Sequence, residues 1–192
     1  MEIFFIRHTT PDIESGICYG HSDIPIKEDV FQNQLQKIKT FLPLNYLEYS
    51  FYSSPSKRCT YLCEALFENS VIDERLKELN FGKWELKKWN DIPELELNNW
   101  MNNYVNESPP GGESYMALKE RCQLFLNDLL INHISKAVVV THAGFIRSLL
   151  SIVINCNLKD TFNFHLDYGA VIRVKIDPKN QTHSLLSLIN IS

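Results

Sequence analysis

The sequence predicts an α/β fold: a three-layer sandwich with a mostly parallel central sheet and helices on both faces. Three observations carry that reading. Short apolar runs alternate with segments of helical periodicity along the 192 residues. The run Ala137-Val138-Val139-Val140 is apolar at every position, as a strand covered on both faces must be. No internal repeat, low-complexity tract or linker interrupts the chain, so a single domain over 1–192 is expected.

The elements follow in order. Ile3 to Ile6 is an apolar run that ends at Arg7 and His8 and reads as a first strand. Residues 9–25 hold Pro11, Gly16, Gly20 and Pro25 and read as a long loop. Phe31 to Leu42 has helical spacing, with Phe31, Leu35, Ile38 and Phe41/Leu42 on one face. A short strand over 48–52 gives way at Ser53-Ser54-Pro55 to a helix reaching about Phe67, with Leu62, Ala65 and Leu66 as its apolar side. Val71-Ile72 reads as one more short strand. Residues 81–113, rich in Trp, Asn and Pro, are expected to be partly helical and to cap the site described below. Ser114 is placed to N-cap a helix reaching about Leu130, with the stripe Leu118, Cys122, Phe125 and Leu129. A strand over 136–141 then turns at His142-Ala143-Gly144 into a helix from Phe145 to Ile154. Ala170–Ile176 alternates apolar and polar, and Leu185–Ile191 can pair with it.

The net charge of −4 argues against a nucleic-acid surface, which needs clustered Lys and Arg. No apolar run approaches the roughly 18–20 residues of a membrane span, and the N-terminus lacks the pattern of a signal peptide. The cysteines Cys18, Cys59, Cys63, Cys122 and Cys156 are odd in number and form no metal quartet. They read as buried thiols of a cytoplasmic protein. No cofactor and no metal is expected; the partner expected is a small phosphorylated substrate, with a homodimer allowed for and neither nucleic acid nor membrane.

In open α/β sheets ligands bind beyond the carboxyl ends of the strands. That rule brings together Arg7 and His8 after the first strand, Ser53 to Arg58 after another, and His142 after the Ala-Val-Val-Val strand. Two guanidiniums and two imidazoles make an anion trap. Arg offers a planar fork that matches phosphate oxygens, and helix starts after Pro55 and Gly144 would add N–H groups. A phosphate monoester is the natural occupant, and a histidine can take the phosphoryl group as nucleophile.

Five segments in order then resemble a known family. Ile6-Arg7-His8-Thr9-Thr10-Pro11, Ser53-Ser54-Pro55-Ser56-Lys57-Arg58, the stretch Leu76 to Glu85, Pro110-Gly111-Gly112-Glu113-Ser114 and Val139 to Gly144 resemble the motifs of the histidine phosphatase, or phosphoglycerate mutase-like, family. The resemblance implies His8 as nucleophile, Arg7, Arg58 and His142 holding the phosphoryl group, and Glu78 as general acid and then base. It implies catalysis without a metal. His8 must then present a neutral nitrogen, its other N–H held by a backbone carbonyl. Glu85, seven residues on, is the rival of Glu78. Glu113 is expected to support the site rather than to react, and His133, His165 and His183 to be structural or exposed.

Two positions depart from the family pattern: Thr9-Thr10-Pro11 stands where a Gly often follows Arg-His, and Leu86 where a Gly often follows Trp-Glu. Together with Gly16-Ile17-Cys18-Tyr19-Gly20 and Ser22-Asp23-Ile24-Pro25, they resemble the alpha-ribazole phosphatase branch. That resemblance implies substrate contacts from Tyr19, Gly20, His21 and Ala143 beside Arg7, Arg58 and His142. Tyr19, His21, Trp84 or Trp89 could stack on a flat base. The alternatives are a broad-specificity phosphatase, a phosphoglycerate mutase, disfavoured by the short segment between Phe81 and Pro110, and a non-catalytic phospho-ligand module, disfavoured because His8 and Glu78 are both present.

Overall fold

A computed structural model describes residues 1–177 and 182–191. Its six strands form one sheet in the order β3-β2-β4-β1-β5-β6. They are β1 (Glu2–Arg7), β2 (Ser50–Ser53), β3 (Val71–Ile72), β4 (Lys136–Thr141), β5 (Val171–Asp177) and β6 (Thr182–Ile189). β3, β2, β4 and β1 run parallel, whereas β5 and β6 are antiparallel additions beside β1. The sheet is therefore mixed, with the parallel part carrying the chemistry-bearing strand ends.

Alternation along the strands sorts the core into two layers, because successive side chains point to opposite faces. Ile3, Phe5, Ala137, Val139, Ile172 and Val174 face one side and pack with helices α4 (Tyr115–Ile131) and α5 (Ala143–Val153). Phe4, Ile6, Val138 and Val140 face the other and meet α1 (Glu28–Phe41) and α2 (Lys57–Leu66). β4 lies between β1 and β2, which is why all four of its apolar residues are fully buried. The stripe read from the sequence on α4 is buried as expected, and the Ser114 side chain accepts from the Ala117 N–H at the helix start.

Several boundaries move. α1 begins three residues before Phe31, and Phe41 turns outward at 38% exposed. α2 starts at Lys57 and not at the Ser-Pro turn, because Ser56, its N-cap, is still extended (φ −61°, ψ 134°). α5 starts two residues before Phe145. Gly144, read as part of a turn, is instead in its first turn. A 3₁₀ segment over Leu158–Asn163 was not foreseen, its polar composition having no period. The segment 81–113 contains two short 3₁₀ turns and one α-helix, α3 (Glu94–Asn103). Trp84 is buried there with Cys18 and Ile92, so it packs the segment and is not free to stack on a ligand. Leu86 adopts φ 66°, the left-handed conformation a glycine enters without strain, which accounts for the glycine pattern at that position. All five cysteines are free; Cys156 is partly exposed and the other four are buried.

Candidate active site

Three strand ends align to build the site. Arg7 pairs with Thr141 and Ser53 with Val140. Beyond them the His8 N–H donates to the Thr141 carbonyl (3.0 Å) and the Ser54 N–H to the Val140 carbonyl (3.0 Å). The sheet register itself thus sets His8, Ser54 and His142 side by side. The His8 and His142 rings meet edge to face, 5.2 Å between centroids.

Arg58 ties the cluster together. It is fully buried, and its guanidinium donates to His8 Nε2 (3.3 Å), His142 Nδ1 (3.2 Å), the Ser22 carbonyl (2.8 Å) and the Gly20 carbonyl (2.6 Å). These acceptors are all neutral, so they orient the charge without cancelling it. Arg7 donates to the Leu166 carbonyl (2.5 Å) and lies 3.9 Å over the Tyr168 ring. Tyr168 in turn hydrogen-bonds Tyr19 (2.9 Å).

The tautomers follow from these partners. A carbonyl can only accept, so His8 Nδ1 carries the proton given to the Thr9 carbonyl (2.7 Å), leaving the Nε2 lone pair facing Arg58. Arginine can only donate, so His142 Nδ1 accepts and its Nε2–H reaches Ser54 Oγ (2.8 Å). Burial, then the charges of Arg58 and Arg7, push the His8 pKa well below its ordinary value. Burial, then Arg58 and His8, do the same to His142.

That depression has a consequence for stability. The unfolded histidines take up protons as the pH falls through their ordinary value of about 6.5, while the folded ones stay neutral until much lower. Stability is therefore full above about 6.5 and declines as the pH drops toward the folded values. Thermal unfolding at pH 7.5 and at pH 5 should show this drop, and His8→Gln should reduce it. An equal drop in the variant would place the acid sensitivity elsewhere.

The two candidate acids have different surroundings. Glu78 accepts from the Leu79 N–H (2.8 Å) and from the Gly144 N–H (3.1 Å), at the start of α5 and two residues past His142. Only glycine fits at 144: an added Cβ would lie 2.1 Å from Glu78 Oε1. Glu85 accepts from the N–H groups of Gly20, His21, Ser22 and Phe81 and from the Ser22 hydroxyl (2.6 Å). Burial raises its pKa, but the Ser22 hydroxyl and the loop N–H groups outweigh that and hold it below the usual range. Glu85 therefore fastens residues 20–22, whose carbonyls hold Arg58.

Of the loop residues, Gly20 is buried against the Leu79 carbonyl, where a Cβ would sit at 1.9 Å. The His21 ring donates to the Glu78 carbonyl (2.9 Å). The Tyr19 ring lies 5.4 Å from the Arg58 guanidinium. Ala143 opens α5, partly exposed, next to His142. His133, His165 and His183 are exposed.

Sequence reading missed four contributors. Arg121 pairs with Glu113 (2.6 Å) and donates to the backbone carbonyls of Arg75, Lys77 and Glu78, bracing the loop that carries Glu78. Its one signal was a cation inside the buried stripe of α4. Ser54, Cys59 and Tyr168 also line the cluster. Among the described residues, no group of three His, Cys, Asp or Glu is arranged to hold a metal ion, and no helix is long and apolar enough to cross a membrane.

The model of the histidine phosphatase superfamily (branch 1) matches residues 3–188. The adenosylcobalamin/alpha-ribazole phosphatase of Escherichia coli is 24% identical, covering 97% of this chain and 96% of that one. A Hydrogenobacter thermophilus protein provisionally named phosphoserine phosphatase 2 is 25% identical over 94% of this chain and 92% of that one. The crystal structure of the alpha-ribazole phosphatase from Shigella flexneri superposes with a TM-score of 0.85 over all of both chains at 21% identity.

Proposed function

The chain belongs to the histidine phosphatase superfamily, and from that membership we propose that it hydrolyses phosphate monoesters through a phosphohistidine on His8, with alpha-ribazole 5′-phosphate as its substrate. The observation that supports the mechanism is His8 Nε2, left unprotonated by the Nδ1–Thr9 hydrogen bond and facing the Arg58 guanidinium.

His8 Nε2 attacks phosphorus as the P–O bond to the alcohol breaks. Glu78 gives the leaving oxygen its proton. The resulting carboxylate then takes a proton from water, which attacks phosphorus as the N–P bond breaks. Arg7, Arg58 and His142 hold the equatorial oxygens, and Ala143 adds the backbone at the start of α5. Tyr19, Gly20 and His21 frame the mouth. Little covalent work is asked of the protein, so positioning and electrostatics supply the rate. Each donor to the phosphoryl group is worth about 10²–10³ in rate. With this positive charge already in place, the reaction is proposed to need no metal.

The substrate rests on Cys18-Tyr19-Gly20 and on the names of the relatives. One relative's name points instead to phosphoserine, which keeps a broader phosphomonoesterase as the second reading. The test is phosphate release, in EDTA, from alpha-ribazole 5′-phosphate, phosphoserine and common phosphomonoesters. Full activity in EDTA with a dominant kcat/KM for alpha-ribazole 5′-phosphate is expected. Comparable rates across the panel would leave the mechanism and remove the substrate. Activity that EDTA abolishes would overturn the metal-free reading.

A further inference from the structure

The two arginines of the cluster are held differently. Arg58 has four acceptors that fix its guanidinium. Arg7 rests on the Leu166 carbonyl (2.5 Å) and on the face of the Tyr168 ring, 3.9 Å from the ring centre. The Arg7 Nε–H is buried with no hydrogen-bond partner among the described residues, the state of a donor kept for an anion.

The fold puts Tyr168 in that place. It precedes β5 in a turn closed by the Ala170 N–H on the Asp167 carbonyl (3.1 Å). Gly169 takes the third position of this turn at φ 78°, where a positive φ favours glycine. The turn is tied to the end of β1 twice: the Arg7 N–H donates to the Ala170 carbonyl (3.0 Å), and the Gly169 N–H to the His8 carbonyl (3.1 Å). The Tyr168 ring also lies 5.6 Å from the His8 ring.

Tyr19 is its counterpart on the loop. The Cys18 N–H donates to the Lys87 carbonyl, the Cys18 carbonyl accepts from Leu86, and the Gly20 N–H donates to Glu85, so both neighbours of Tyr19 are fixed. The Tyr19 ring faces the Arg58 guanidinium at 5.4 Å, and its hydroxyl shares a hydrogen bond with that of Tyr168 (2.9 Å). Arg7, Tyr168, Tyr19 and Arg58 thus form one continuous chain of contacts. Each guanidinium lies within the roughly 6 Å at which an aromatic face attracts a cation. The rings are rigid, so the bond between the two hydroxyls sets the distance between two cations that repel each other.

We propose that Tyr19 and Tyr168 act as one clasp, a pair of positioning residues that fixes the spacing of Arg7 and Arg58 to fit the transition state of phosphoryl transfer. The proposal rests on the phosphatase reading and deepens it. Cations held at that spacing favour the transition state over the bound ester.

The test compares Tyr19→Phe, Tyr168→Phe, the double variant and Tyr168→Leu, with thermal unfolding as the control for folding. Each single Phe variant should lose about three- to tenfold in kcat/KM, the worth of one neutral hydrogen bond. The loss should be equal on ethyl phosphate and p-nitrophenyl phosphate, because proton transfer is untouched. The double variant should lose no more than either single one, since the same bond is missing in all three. Tyr168→Leu also takes the ring from Arg7 and should lose about 10²-fold, the scale of a misplaced catalytic group. In that variant vanadate, a trigonal-bipyramidal mimic of the transition state, should weaken as an inhibitor more than inorganic phosphate does. Losses that multiply in the double variant would overturn the clasp. So would wild-type rates in the Phe variants, or a fall in kcat with both inhibition constants unchanged. A wild-type protein that hydrolyses neither ester would overturn the phosphatase reading instead. The clasp then stands or falls on the titration of inorganic phosphate, whose binding the two single Phe variants and the double one should weaken equally.

Discussion

His8→Ala is expected to abolish turnover, with a loss of at least about 10⁴-fold in kcat, of the order seen when a nucleophile is removed from a concerted catalytic group. The fold should survive. The backbone of His8 keeps its bond to the Thr141 carbonyl and accepts from the Gly169 N–H whatever its side chain. The lost side-chain partners are the Thr9 carbonyl and Arg58 Nε, both at the site itself. Phosphate release, with thermal unfolding as the control for folding, checks this. Acid-labile phosphate retained by the wild-type protein and lost in the variant would identify the intermediate. A variant that folds and keeps a substantial share of the rate would reduce His8 to a phosphate ligand.

How much of this was legible in the sequence depends on the kind of interaction. Strands whose burial is uniform or strictly alternating, such as Lys136–Thr141, were read to the residue because solvent exposure alone sets their pattern. Arg7, His8, Arg58 and His142 were legible together because each ends or directly follows a strand or lies in the first turn of a helix, and topology then forces them into one place. The antiparallel partnership of β5 with β1 was less visible, since alternation on a strand does not say which neighbour it takes. What supports the site was hidden for a different reason. Arg121 acts on backbone carbonyls forty-odd residues away, and Tyr168 acts through its ring face on Arg7. Neither role leaves a local pattern. Gly144 misled because glycine commonly ends regular structure, whereas here its missing Cβ makes room for a carboxylate inside a helix.

That last contact gives the second large effect. Glu78→Gln is expected to slow hydrolysis of alkyl phosphates by about 10²–10⁴-fold, the usual worth of a placed proton donor. It should barely affect kcat/KM for p-nitrophenyl phosphate, which reports the first step, because that leaving group departs without a proton; kcat should fall on both esters, since water activation is shared. Gly144→Ala should reproduce the same selective loss, because a Cβ there would lie 2.1 Å from Glu78 Oε1 and must displace the carboxylate. Glu85→Gln should behave differently. Its carboxylate takes five hydrogen bonds from residues 20–22 and Phe81, so the variant loosens the carbonyls that hold Arg58. The two esters should then suffer alike, since phosphate binding is damaged and proton transfer is not. The ratio of kcat/KM on the two esters separates these cases. A leaving-group-selective loss in Glu85→Gln with none in Glu78→Gln would move the acid seven residues along the chain. Equal losses in Glu78→Gln and Gly144→Ala on both esters would make Glu78 a support for α5 and not a proton donor.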